Sequence, residues 1–466
     1  MHLIPQSWAH WHLLVSVFPS VGLVFVLGLS VAALVTANKG MARACLAAFV
    51  ILGLLAIPTY LSGEGSMPVS LRDPKTPPDL LGLHRTIGWL ALLAAIATGA
   101  AAAVALARLR RAGHLSSVAL KWILALGLVT LALMAWVGEL GWEMDHHELL
   151  IPPTDVSTAQ AWSHVHVILN HFPTIGFVVT LGFYVTALLT DNEGMKRAGL
   201  ALFVICAVLG VPTFVTGNAS MWAETRPPVE GISKAVINAH RDMALLSLFG
   251  LAFTGGTAWI ELFRYRHLGR FSNRVLYAVL GLALVTLGIM TETGHRGGQI
   301  NHPEIRLATD ILPTDPTLGW SPFIEHQINQ VVWFVPWQTV HFFGFALIFG
   351  TVLLVSLRVL GFAKSVPFSA MHRLLPLGFC GVLMNVFSGM LILQADSGRY
   401  LNNITFVPKI AAIGIGGIAV LYYTLSERVW AVGPGEDAPA SAKAMAVLIL
   451  LAWATVIMGG RLLAYV

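Results

Sequence analysis

The sequence predicts an all-α polytopic membrane protein of about 12 transmembrane helices, two tandem four-helix repeats followed by a third four-helix bundle. Three observations predict this. Of the 466 residues, 56% are hydrophobic and only 11% charged, which is outside the balance of an ordinary soluble domain. Apolar runs repeatedly reach the roughly 20 residues needed to cross a bilayer core. A patterned segment also recurs at a constant offset, WAHWHLLVSVFPSVG from Trp8 against WSHVHVILNHFPTIG from Trp162.

In chain order the spans fall near 13–36, 41–61, 82–107, 118–138, 165–190, 195–216, 237–262, 273–292, 331–360, 368–394, 404–426 and 442–463. The first run has polar and aromatic residues before it and no small-residue cleavage site, so it reads as a span and not as a signal peptide. The repeat continues through Asn38–Met41 against Asn192–Met195, Pro58-Thr59 against Pro212-Thr213, and Gly63 against Gly217. After a two-residue insertion, His84-Arg85 matches His240-Arg241. These matches divide the chain into repeat 1 (1–155), repeat 2 (156–320) and a C-terminal four-helix domain (321–466), which shows no convincing match to either repeat. Each repeat has an even number of spans, so the two copies share one orientation about a pseudo-twofold axis along the membrane normal. The tract 431–442, with Gly, Pro, Glu and Asp, reads as a flexible connector.

Basic residues collect in the loops after odd-numbered spans, such as Arg108, Arg110 and Arg111, or Arg264, Arg266 and Arg270. The loop at 139–163 carries Glu139, Glu143, Asp145, Glu148 and Asp155 with no Lys or Arg. The positive-inside rule then places both termini outside, the periplasmic side of a bacterial inner membrane. The net charge of +5 is spread over short loops and gives no nucleic-acid signal. Cys45, Cys206 and Cys380 stand singly in apolar segments, with no CxxCH for covalent haem and no CxxC for zinc or iron–sulfur ligation.

The histidines carry the functional argument. Under this topology all of the 17 except His114, His267 and His372 lie toward the outer side. The segment His164–Pro173 opens repeat 2 with His164, His166 and His171, and His164 and His171 fall on nearly one helical face. His240 begins the third helix of the same repeat on the same membrane side. First and third helices of a four-helix bundle face each other across its core, where cofactors sit. His171 and His240 are therefore expected to supply paired imidazoles to the iron of a non-covalent b-type haem, with Arg241 pairing a propionate.

Repeat 1 keeps His12 and His84 but has Val17 where His171 would stand. If His166 replaces His171 as the ligand, His12 with His84 repeats the arrangement and two haems follow. His295, at the end of the eighth span, is a further candidate, although Glu139 occupies its place in repeat 1. His302 and Glu304 recur as His146 and Glu148, in a capped loop or a metal site. His341 lies about 15 Å into the ninth span by helical rise, where a haem or quinone contact competes with a helix–helix hydrogen bond.

HVHVILNHFPTIG followed by GHRGGQINHPEI resembles an uncharacterised bacterial membrane family whose members carry H-P-x-x-x-H-F-P-I and G-x-x-G-G-x-L-x-x-x-H-G. His166, His171, Phe172, Pro173, Gly294, Gly297, Gly298 and His302 carry the likeness, with Val167 and Pro303 as departures. The C-terminal domain resembles four-helix membrane proteins of the copper-resistance and b-cytochrome-like kind, through His341, Gly344, Gly350, Arg358, Gly361, Gly389 and Lys409. These resemblances imply a haem-bearing or redox-partner membrane subunit.

The expectation is a cytochrome-b-like electron-transfer subunit in membrane lipid, linking the quinone pool to a periplasmic c-type cytochrome or dehydrogenase. It would hold haem b, with quinone as a second candidate. No nucleophile–base constellation supports catalysis by this chain alone. The alternatives are a periplasm-facing copper transporter or metal-handling protein, or a structural anchor of a redox complex.

Overall fold

A computed structural model of the chain describes residues 7–35, 38–71, 77–112, 117–145, 158–224, 233–301 and 312–463. Among these residues there is no strand, and twelve helices are long and apolar enough to cross a membrane. The chain is an all-α polytopic membrane protein. Repeat 1 forms α1 (Trp8–Val35), α2 (Lys39–Ser70), α3 (Pro78–Ala112) and α4 (Ser117–Asp145). Repeat 2 forms α5 (Thr158–Leu189), α6 (Glu193–Glu224), α7 (Lys234–Leu268) and α8 (Asn273–Asn301).

The C-terminal residues form α9 (Trp320–Ile328), α10 (Val331–Leu360), α11 (Phe368–His372), α12 (Leu375–Ala395), α13 (Ser397–Leu401), α14 (Phe406–Leu425), α15 (Glu427–Trp430) and α16 (Ala440–Leu462).

The helices of the repeats outrun their apolar segments. α3 and α7 have 35 residues each, about 50 Å at helical rise against a hydrocarbon core of about 30 Å. α8 continues past the span expected at 273–292 through Gly294 and Gly297 to Asn301. The span expected at 368–394 is instead two pieces, because Pro376 sits at the first turn of α12 and its ring favours a helix start there.

By internal contacts the chain divides into two compact units. Unit 1 holds residues 1–160, 174–199 and 301–311, and unit 2 holds 161–173, 200–300 and 312–466. In unit 1, α1–α4 pack in sequence and α4 closes back onto α1. Thr98 on α3 and Thr130 on α4 share a buried hydroxyl hydrogen bond of 2.9 Å. The same bond recurs in unit 2 between Thr254 and Thr286, at 3.1 Å. Small residues bring α2 close to α3 and α6 close to α7: a Cβ on Gly99 would lie 3.3 Å from the Phe49 carbonyl, and one on Gly255 would lie 3.0 Å from the Phe203 carbonyl.

In unit 2 the C-terminal bundle packs α10 on α12 and α16, and α14 on α16 and α7. A core of Val215, Leu248, Leu393 and Phe406 joins α6, α7, α12 and α14. Asp242 on α7 accepts from the backbone N–H of Trp320 (2.9 Å) and Ser321 (2.6 Å), capping the start of α9.

The tract 431–442 is not a flexible connector. The guanidinium of Arg358, itself 1% exposed, donates to the carbonyls of Val366, Gly433 and Glu436. Asp437 bridges Lys364 at 2.8 Å and Lys443 at 3.0 Å. Large apolar side chains such as Trp122, Phe253, Phe343 and Leu451 are exposed, as lipid-facing positions must be.

Candidate cofactor site

Each repeat carries two histidines near the ends of its helices, one on its first helix and one on its third. In repeat 1, His12 on α1 points its Nδ1 at the Thr59 carbonyl of α2 (3.0 Å), with the Ser62 hydroxyl at 3.3 Å. In repeat 2, His166 on α5 makes the same contacts to the Thr213 carbonyl (3.1 Å) and the Thr216 hydroxyl (3.2 Å) of α6. The hydroxyls of Ser62 and Thr216 are themselves donors to backbone carbonyls. The second histidine of repeat 2 uses the fourth helix, His240 Nδ1 meeting the Thr293 carbonyl of α8 at 2.9 Å, whereas the buried Nδ1 of His84 has no hydrogen-bond partner among the described residues.

This arrangement fixes the chemistry of the rings. A carbonyl oxygen can only accept, so the Nδ1 facing it carries the proton and Nε2 keeps its lone pair. That is the form in which imidazole binds a metal, with the other nitrogen anchored by a neighbouring group.

Glycines make room for the rings. A Cβ on Gly63 or Gly217 would stand 3.0 or 2.8 Å from Cε1 of His12 or His166. On Gly141 or Gly297 it would stand 3.2 or 2.9 Å from Cε1 of His84 or His240. Four imidazoles thus lie against four glycines.

The rings of His12 and His84 are centred 6.4 Å apart with an interplanar angle of 83°. Two imidazoles on one iron, with metal–nitrogen bonds of about 2 Å, place their ring centres about 6 Å apart. Among the described residues no group of three or more His, Cys, Asp or Glu gathers to hold a metal ion.

The other candidates fall elsewhere. His171 turns its Nδ1 onto the Val167 carbonyl of its own helix (2.5 Å), and no contact joins it to His240. His295 pairs with Gln299 on the same helix at 3.2 Å. Arg241 is 4% exposed and committed within unit 2, donating to Asn218 (2.7 Å) and to the Gln394 carbonyl (3.1 Å), with Glu325 at 3.9 Å. Its counterpart Arg85 is exposed and forms a bidentate pair with Glu64 at 2.7 and 2.9 Å. His341 on α10 meets the Ser388 hydroxyl of α12 at 3.1 Å. His146, Glu148, His302 and Glu304 lie outside the described residues.

Sequence reasoning passed over the T-x-x-S/T-G element of α2 and α6, at Thr59–Gly63 and Thr213–Gly217. The signal was present, since both elements stand at the constant offset of the repeat, but nothing in one dimension tied them to the histidines. Arg296 on α8, within Coulombic range of His240 and paired with Glu292 at 2.7 Å, was also passed over.

The profile of a family described as a predicted membrane protein (DUF2231) matches residues 163–303, which covers repeat 2 from α5 to the end of α8. No curated protein matches the chain, and no solved structure does.

Proposed function

We propose that this chain is a cytochrome-b-like electron carrier of the bacterial inner membrane, with one b-type haem per repeat. His12 with His84, and His166 with His240, would hold the two groups. The observation that carries this reading is four imidazoles seated on four glycines at matching positions of the two repeats, three of them, His12, His166 and His240, anchored at Nδ1 to a neighbouring helix. The 6.4 Å between the ring centres of His12 and His84 suits a shared iron.

When bound, haem supplies a one-electron couple without a proton-coupled bond change. The protein's own work is to hold both rings in a single tautomer, to present Nε2, and to wall the pocket with apolar helix surface. The Nδ1 contacts to Thr59, Thr213 and Thr293 raise the basicity of the ligating nitrogen and favour the oxidised state.

The positive-inside rule puts these pairs on the periplasmic side, together with both termini. Electrons would pass between lipid-soluble quinone and a periplasmic c-type cytochrome or dehydrogenase. A pyridine haemochrome assay of purified protein tests the reading. Two haems per chain are expected, falling to one in His12→Ala or His240→Ala and unchanged in His171→Ala. Protein without haem b, or an unchanged ratio in the first two variants, removes the assignment.

A further inference from the structure

In repeat 1, α2 and α3 touch backbone to backbone at one level and leave a crevice beyond it. A Cβ on Gly53 would stand 2.8 Å from the Ala95 carbonyl, and one on Gly99 would stand 3.3 Å from the Phe49 carbonyl. Toward the start of α2 and the end of α3 the walls are Ala47, Ala103, Leu106 and Ala107, whose mostly small side chains leave the space between the helices unfilled. Two adjoining clefts of about 440 Å³ each result, sharing Ala47 and Leu106, and their size is that of a small-ligand site. Arg43 lines one cleft and Arg111 the other.

Repeat 2 closes the matching place with its own side chains. At the offset of 156 that relates His84 to His240, Ala103 becomes Trp259 and Ala107 becomes Phe263. The Thr98–Thr130 and Thr254–Thr286 bonds stand at the same offset and fix the register. Trp259 is buried, its ring stacked on Phe379 of α12 at 5.2 Å and set against Phe263 at 5.7 Å. The charges are answered as well: Ala105 becomes Glu261, which pairs with Arg264 at 3.4 Å, and Arg266 pairs with Glu427 at 2.6 Å.

Repeat 1 offers no such partners. Residues 31–53 and 100–128 hold Lys39, Arg43, Arg108, Arg110, Arg111 and Lys121 and no acidic residue. Arg43 and Arg111 are exposed and make no hydrogen bond or ion pair with any described residue. The positive-inside rule assigns this end of the helices to the cytoplasmic leaflet, where anionic lipids attract basic side chains. An apolar crevice with unanswered guanidinium groups at its charged end calls for an alkyl chain that carries an anion. Free phosphate would leave the crevice empty. A second copy of this chain would bring its C-terminal bundle, but Glu427 there is already paired with Arg266.

We propose that the crevice between α2 and α3 binds an anionic phospholipid, an acyl chain lying against Ala47, Ala103, Leu106 and Ala107 and the phosphodiester meeting Arg43 and Arg111. The site is independent of the carrier reading above.

Full-length protein in detergent is titrated with phosphatidylglycerol and with phosphatidylcholine of the same acyl chains, and bound lipid is counted by native mass spectrometry. One phosphatidylglycerol per chain is expected to be retained at least about tenfold more tightly than phosphatidylcholine, a preference that falls about fivefold in Arg43→Gln or in Arg111→Gln. Lys121→Gln, at an exposed position of α4 outside the clefts, keeps the wild-type preference. Ala107→Phe, which installs the repeat 2 side chain, displaces the lipid, and excess inorganic phosphate does not. Equal retention of the two lipids, a preference unchanged in both arginine variants, or undiminished binding in Ala107→Phe overturns the site. Release by inorganic phosphate would reduce it to a phosphate site, and a wild-type dimer that dissociates in Ala107→Phe would give the crevice to a second copy; either overturns the lipid.

Discussion

Asn38 and Asn192, 154 positions apart in the chain, face each other and exchange hydrogen bonds between their side-chain amides. Nδ2 of Asn38 reaches Oδ1 of Asn192 at 3.3 Å, and the reverse bond measures 3.5 Å. Each Oδ1 also accepts the backbone N–H three residues on, Met41 or Met195, at 2.9 Å. One side chain thus caps its own helix and pairs with its counterpart 154 positions away. Gly40 and Gly194 are required beside them, since a Cβ on either would collide with the opposing amide. Contacts of Gly22 with Val179 and of Gly176 with Phe25 continue this matched packing.

Replacing Asn38 with Ala removes a helix cap and one half of the exchange, at a cost of about 1–2 kcal/mol. Asn192→Ala costs the same by symmetry. The double variant should lose less than the sum, by about 0.5–1 kcal/mol, because the shared amide pair can be lost only once. Thermal unfolding of the four proteins in detergent measures this coupling. Strict additivity would mean that the two amides act only as separate caps.

The glycines beneath the imidazoles give a sharper test of the cofactor geometry. In Gly297→Ala the new methyl stands 2.9 Å from Cε1 of His240, and the ring must shift by a few tenths of an ångström. Ligation tolerates a misplacement of only about 0.5 Å, so the haem of that pair is expected to loosen or leave, lowering the haem-to-protein ratio toward half. Gly294→Ala, one turn earlier on α8, meets nothing within 4 Å and should leave both haems in place. Comparing the optical spectra of the two purified variants decides the matter, because a general effect of alanine on α8 would show in both.

Much of this architecture can be read in one dimension. Long apolar runs give the spans, and the offset of 154 gives the repeat. The preference for His171 came from spacing. Seven residues place it on the face of His164, but spacing cannot say which face turns toward α6, and it is His166 that meets Thr213. The likeness of the His341–Ser388 contact to the histidine–hydroxyl contacts of the repeats is hidden for another reason. Only a histidine, a hydroxyl and a glycine are shared, and the distance between them is three residues shorter. The ordering of 431–442 was missed because its anchor, Arg358, lies over 70 residues upstream.

The clasp at the base of that tract is expected to respond to acid. Hydrogen bonds from Lys364 and then Lys443 hold the Asp437 carboxyl down to about 2. Its folded value lies below the value in an unfolded chain, about 3.9. The stabilisation is therefore fully present above pH 4 and is lost as pH falls toward 2. Asp437→Asn removes that dependence and leaves the behaviour at lower pH unchanged. Limited proteolysis near Gly433–Glu436 between pH 7 and pH 3, compared in wild type and Asp437→Asn, reads the release. Cleavage that begins at the same pH in both proteins would show that another group controls the tract.

Arg85 and Arg241 occupy one position of the repeat in opposite environments, which separates two roles for the same side chain. Arg85 pairs with Glu64 at an exposed helix end, where solvent screens the charges. Arg85→Ala should leave stability nearly unchanged. Arg241 is buried, and it ties α6 to α7 through Asn218 and α7 to α12 through the Gln394 carbonyl. Asp242 next to it caps α9, so one dipeptide fastens the C-terminal bundle to α7. Removing the guanidinium strands the Asn218 and Gln394 acceptors in a buried place, at a cost of about 2–4 kcal/mol. Thermal unfolding of Arg85→Ala and Arg241→Ala compares the two directly. Haem content of the folded fraction should stay unchanged in both, because neither guanidinium is required at an axial pair. Loss of haem in Arg241→Ala without loss of stability would instead assign this arginine to a propionate.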